Sequence, residues 1–139
     1  SRGLGDVYKR QGERKMENKE KINFRIQRTD NLNDIYVDNV VGPGNGRHSY
    51  MIVKKDNPEE VLLEIQYQCG ARKDENSVSG ILDQDLLEIV RNRLQYFQKG
   101  EYATRENACA LTHIEEALMW MAKRSNDRAE RGVLGTMNK

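Results

Sequence analysis

Aromatic residues are scarce in this 139-residue chain: one Trp, two Phe and six Tyr. With charged residues at 32%, little remains for an apolar core, and small cores of this kind are commonly completed by a second subunit. No apolar run approaches the roughly 20 residues of a membrane-spanning helix, and none resembles a signal-peptide core. The two cysteines, Cys69 and Cys109, lack metal-ligand spacing and read as reduced cytosolic thiols. A surplus of positive charge is missing too. The formal net charge is +1, but residues 1–15 carry five Lys/Arg against two Asp/Glu, leaving 18 against 20 from Met16 onward. A nucleic acid polymer usually needs a basic face, so this balance argues against one, whereas a small anionic ligand needs only a few local cations. A recognisable catalytic set is also lacking. His48 and His113 have no paired acid at ligand spacing, Cys109 has no evident base, and no carboxylate pair stands at acid–base spacing. An enzyme, a metal and a cofactor are therefore not expected.

Residues 1–15 show no periodicity and no helix cap. Asp6-Val-Tyr-Lys-Arg-Gln11 resembles the translated end of a transposon adapter used for sequencing libraries. These residues are read as a non-native leader, and 16–139 as a single α+β domain starting at Met16. Apolar alternation predicts strands over 22–28, 35–41, 48–53 and 61–69, joined by short connections into an antiparallel meander. Tyr50 and Ile52 fall on one side of the third strand, Met51 and Val53 on the other. Val61, Leu63, Ile65, Tyr67 and Cys69 share a face of the fourth. Gly42-Pro-Gly-Asn-Gly46 invites comparison with a phosphate loop, but it lacks the Gly-Lys-Ser/Thr ending and no helix follows. It reads as a hairpin turn.

Two helices are expected after a polar loop at 71–79. The first runs from Asp83, as N-cap, to about Lys99, with Leu86, Ile89, Val90, Leu94 and Phe97 on its apolar face. The second runs from Thr104, its cap, to about Arg131, with Gly132 supplying a left-handed stop. The short link between them makes an antiparallel hairpin. Leu111, Ile114, Leu118, Met121 and Ala122 draw its apolar stripe; residues 133–139 read as irregular. Arg124 falls at the edge of that stripe and Arg128 inside it, where a buried cation needs an anionic partner.

Arg124, Arg128 and Arg131 stand at steps of four and three, along one flank and about 5.4 Å apart per turn. That spacing suits two neighbouring phosphates, each gripped by a planar fork. Cations near a helix C-terminus also complement its dipole, and Asp127 can pair with Arg124 or Arg131. The dipole reading suits Arg131, both readings stay open for Arg124, and Arg128 leans toward a ligand. Phe97 and Trp120 can stack a base, or simply belong to a core. Asn107, in the first turn, can serve a cap or present its amide. Arg72, Lys99 and Arg105 read as solvated surface unless neighbouring subunits bring them together.

The run from Arg105 to Thr136 carries a pattern: Arg-Glu-Asn, then Ala-Leu-Thr, Ile-Glu-Glu-Ala-Leu-Met-Trp, and Arg-Gly-Val-x-Gly-Thr. It closely resembles a signature of phage anti-defence proteins that sequester cyclic nucleotide signals, including the anti-CBASS protein 2 family. The β-rich residues 22–69 look like the Thoeris anti-defence protein 1 family. Together the resemblance covers 16–139, with Met121 and Ser125 where relatives often carry Leu and Thr. It implies a protein that binds glycocyclic ADP-ribose without destroying it, in the cytoplasm of an infected bacterial host. It assigns that ligand to Phe97 stacking on adenine, Asn107 bonding a polar edge, and Arg124 and Arg128 holding the pyrophosphate. It further implies a second site for cyclic di- or trinucleotides where subunits meet, with Arg72, Lys99 and Arg105 as candidates. A homo-oligomer built from dimers, up to a hexamer, is expected, associating through the long C-terminal helix. Composition and spacing alone do not choose the ligand, and leave two other readings: an enzyme that hydrolyses such a signal, and a structural oligomer with interchain salt bridges.

Helix arithmetic adds one expectation. Asn107 and Arg128 are twenty-one positions apart, about 31 Å along one helix. If one ligand touches both, two chains must share the site.

Overall fold

Short apolar–polar alternations joined by polar turns build the N-terminal half. The computed structural model describes residues 18–139, and the leader assigned to 1–15 lies outside them. The chain divides after Cys69 into two compact units. In the first, β1 (Lys19–Lys21), β2 (Asn33–Asp38), β3 (Ser49–Lys54) and β4 (Val61–Gln66) lie side by side in chain order as an antiparallel sheet. Val37 pairs with Tyr50 and Tyr36 with Met51, so the fully buried Val37 and Met51 point to opposite faces. Val53, also fully buried, shares the Met51 face.

The first strand is not where alternation placed it. Of residues 22–28 only Ile22 stays on the ladder, its N–H donating to Ile35 O at 2.9 Å. Beyond it Arg25 donates to Asn33 O at 2.8 Å, and Asn31 Nδ2 folds back on Gln27 O at 2.9 Å, with Asp30 at φ 59°. Local side-chain bonds win over strand pairing there, and Phe24 and Ile26 are left fully exposed. In β4 the expected common face is broken by a bulge. Ile52 pairs with Leu63 but Val53 with Val61, so Leu62 is the extra residue and Val61 moves to the Val53 side. Both β2 and β4 also stop short of the pattern, at Asp38 and Gln66.

Residues 42–46 form a hairpin turn, closed by Gly42 N to Gly46 O at 2.8 Å. The His48 ring lies against it: Nε2 is 3.0 Å from Pro43 O, and a Cβ on Gly42 would come within 2.8 Å of the ring. Lys19 ties β1 to β2 through Asp38 at 2.5 Å. Burial pushes the Asp38 carboxyl up, but the Lys19 ammonium and the nearby Ser49 hydroxyl more than offset this and hold it below the usual carboxylate range.

The second unit is a two-helix hairpin, α1 (Asp83–Gln98) and α2 (Arg105–Glu130), which completes an α+β architecture. Leu82, rather than Asp83, is the N-cap of α1, because the Asp85 carboxylate accepts the Leu82 N–H at 2.9 Å. Thr104 caps α2 through Oγ1, which accepts from Asn107 N at 3.0 Å. Gln98 holds the connection from both sides, donating to Thr104 O at 3.0 Å and accepting from Thr104 N at 3.1 Å. Midway along, Arg91 bridges to Glu115 at 2.9 Å, so the helices run antiparallel.

No residue of either helix is fully buried. Leu111, Ile114, Leu118 and Met121 form the expected half-buried stripe of α2, but Ala122 is exposed. On α1 the half-buried apolar positions are Leu86, Leu87, Leu94 and Phe97, whereas Ile89 and Val90 are 64% and 42% exposed. The apolar arc of α1 is wider than one partner helix covers.

Candidate functional site

The end of α2 brings together the residues with the most chemistry. Trp120, Lys123, Arg124, Asp127, Arg128 and Arg131 recur at steps of three, one, three, one and three, and line a cleft of about 310 Å³. Four cations therefore face one carboxylate. That carboxylate is already engaged, because Asp127 accepts from Lys123 Nζ at 2.9 Å. Among the described residues no side chain or carbonyl engages the guanidinium of Arg124 or of Arg131, and both side chains are exposed.

Arg128 is half-buried, as its place on the stripe requires, but its partners are neutral. One of its terminal nitrogens donates to Val133 O and Thr136 O, at 3.1 Å each. Those carbonyls belong to an ordered turn. Gly132, at φ 72°, stops the helix as expected: its N–H reaches Ala129 O at 3.0 Å while Val133 N reaches Arg128 O at 3.0 Å. The segment read as irregular has no regular secondary structure, yet it is held by defined hydrogen bonds.

Phe97 and Asn107 sit at the opposite end of the hairpin. Phe97, in the last turn of α1, is half-buried, and the Arg93 guanidinium lies 4.8 Å from its ring centroid. Asn107 is half-buried in the first turn of α2. Within one chain the four residues thus fall into two pairs, with most of α2 between them. The other three candidates divide likewise. Lys99, whose Nζ lies 4.7 Å from the Tyr96 centroid, and Arg105 are at the closed end. Arg72 lies over Gly135 at the open end.

Lys123 and Arg93 were not singled out by the sequence reading. The signal for Lys123 was present in its spacing from Trp120 and Asp127. Arg93 stands four residues before Phe97, the spacing that stacks side chains on a helix. A larger hollow of about 580 Å³ opens beside β2 and β3, lined by Asn31, Leu32, Asn33, Lys54, Lys55 and Asp56. It offers neither an aromatic face nor a guanidinium, and its charges are mixed. Of the two, the α2 cleft carries the cations and the aromatic face that an anionic nucleotide would require.

Among the described residues no group of His, Cys, Asp and Glu is placed to hold a metal, and no helix is long and apolar enough to cross a membrane. A family model described as Acb2/Tad1, hairpin domain, matches residues 59–125. The chain is 42% identical over 103 residues to a protein named Thoeris anti-defense 1 from Bacillus phage SBSphiJ7, a match spanning 74% of this chain and 71% of that relative. The match takes in most of the sheet-plus-hairpin length, and the hairpin model covers both helices up to Ser125. This chain belongs to the Thoeris anti-defense 1 family and carries its Acb2/Tad1 hairpin domain.

Proposed function

We propose that this protein is a phage anti-defence protein that binds and sequesters glycocyclic ADP-ribose without degrading it, and so blocks Thoeris immunity in the cytoplasm of the infected host. The observation that carries the reading is the α2 cleft: four cations, two of them guanidiniums with no partner among the described residues, beside an exposed Trp. Such a cleft suits a pyrophosphate. Its volume lies at the low end of small-molecule sites, so it holds only part of a ligand of this size. Arg124 and Arg128 grip the pyrophosphate, and the rest of the ligand reaches Phe97 and Asn107 of a second chain. Adenine stacks on the Phe97 face that Arg93 leaves open, and Asn107 bonds a polar edge.

The exposed apolar positions on both helices favour this arrangement, because a hairpin with no fully buried residue gains from association. Two chains packed antiparallel through α2 make two equivalent sites, and such dimers are the unit of a larger homo-oligomer, up to a hexamer. Residues 16–139 act as one sequestering unit. Where subunits meet, Arg72 of one and Lys99 and Arg105 of another form the second site, for cyclic di- or trinucleotides. Nothing in the α2 cleft resembles a proton-transfer pair, which favours binding over hydrolysis. The test is to incubate the protein with glycocyclic ADP-ribose, denature it by heat and weigh the released ligand. Recovery at unchanged mass is expected; a linear or smaller product would make the protein an enzyme.

A further inference from the structure

The turn at residues 131–136 does more than end a helix. Thr136 Oγ1 donates to Val133 O at 2.5 Å, and Lys73 N donates to Gly135 O at 3.0 Å. Gly135 is left-handed at φ 76°, and a Cβ there would sit 2.5 Å from Arg72 Nε, so the Arg72 side chain lies directly on its backbone. These contacts fix the two carbonyls, of Val133 and Thr136, that accept from Arg128.

A terminal guanidinium nitrogen carries two N–H groups. Both have an acceptor here, which leaves Nε and the other terminal nitrogen for a ligand. An arginine on an open helix face must give up its rotamer freedom when it grips an anion. Arg128 has already given it up on folding. We infer that the 131–136 turn, locked by the Thr136 hydroxyl and seated under Arg72 at Gly135, is a positioning device that presets Arg128 for an anionic ligand. Thr136 acts through Arg128 and itself touches no ligand. The inference rests on the reading that Arg128 holds the pyrophosphate. It also gives the Gly-Val-x-Gly-Thr end of the sequence pattern a physical purpose: one glycine for the helix stop, one beneath an arginine, and a hydroxyl that closes the turn.

The experiment uses the full chain with Thr136→Val, which removes the hydroxyl at constant shape, and Thr136→Ser, which restores it. NMR order parameters of the Arg128 Nε–H report whether the side chain is held, with or without ligand. Calorimetry with glycocyclic ADP-ribose reports affinity in the parent and in an Arg128→Ala background. In Thr136→Val the order parameter is expected to fall and affinity to weaken about tenfold. The Ser variant recovers both, and the Val change has no further effect once Arg128 is absent. Gly135→Ala, which disturbs the same turn from the Arg72 side, should loosen Arg128 equally and serves if Thr136→Val folds poorly. A high order parameter in these variants, or an equal affinity loss in both backgrounds, overturns the inference. A parent chain that binds no glycocyclic ADP-ribose overturns the proposed function instead, while the order parameters still decide whether the turn holds Arg128.

Discussion

At the scale of single residues, the three arginines of the α2 end are not equivalent, although their spacing makes them look so. Arg124 is exposed and unpartnered among the described residues, Arg128 is half-buried on two carbonyls, and Arg131 is exposed in the C-cap position. Arg124→Ala is expected to weaken glycocyclic ADP-ribose by about 2–5 kcal/mol, the usual cost of truncating one member of a desolvated charged pair. Arg131→Ala should cost less than about 1 kcal/mol, as exposed cations do. Arg128→Ala should match Arg124→Ala in binding and also loosen the 131–136 turn, because two carbonyls lose a charged donor. Titration calorimetry of the three variants checks the ranking. Equal losses at all three would indicate a diffuse field and not a clamp.

Individual elements carry two further expectations. The chain has a single Trp, and Trp120 lines the cationic cleft of α2 at 72% exposure. Its emission should therefore change on ligand addition and saturate with the calorimetric isotherm. A flat titration alongside measurable binding would move the ligand away from this end of α2. In the sheet, the β1–β2 tie between Lys19 and Asp38 depends on the carboxylate. Its pKa is lowered by folding, so its contribution is complete above the unfolded value near 3.9 and is lost as pH falls through the folded value. Below about pH 4 the parent's melting temperature should fall more steeply than that of Asp38→Asn. Parallel profiles would mean that the tie adds nothing to stability.

For the whole molecule, the separation of Asn107 and Arg128 by about 31 Å of helix sets the question of assembly. Asn107→Ala and Arg128→Ala chains, each poor at binding, are mixed under conditions that allow subunit exchange. A heterodimer with a shared site regains one intact site and carries one doubly damaged site. Recovered binding, at up to half the parent's capacity per dimer, is the expected result. Exchange confirmed by native mass spectrometry with no recovery would tell against a site shared between chains.

Periodicity alone determined most of the architecture. The two helices, the Thr104 cap and the Gly132 stop follow from local rules that one segment satisfies by itself, and the short connections set the order of the antiparallel strands. The placement of Arg128 on the half-buried stripe was likewise legible, because a helix fixes azimuth by counting. Tertiary structure decided what counting cannot reach. Residues 22–28 alternate perfectly well, yet Arg25 and Asn31 offer the backbone a local alternative to pairing. Val61 changes face because one bulge residue, Leu62, shifts the register by one. Arg128 is held by two carbonyls because Gly132 and Gly135 turn the chain back over it, a contact between residues five and eight positions apart that no period encodes.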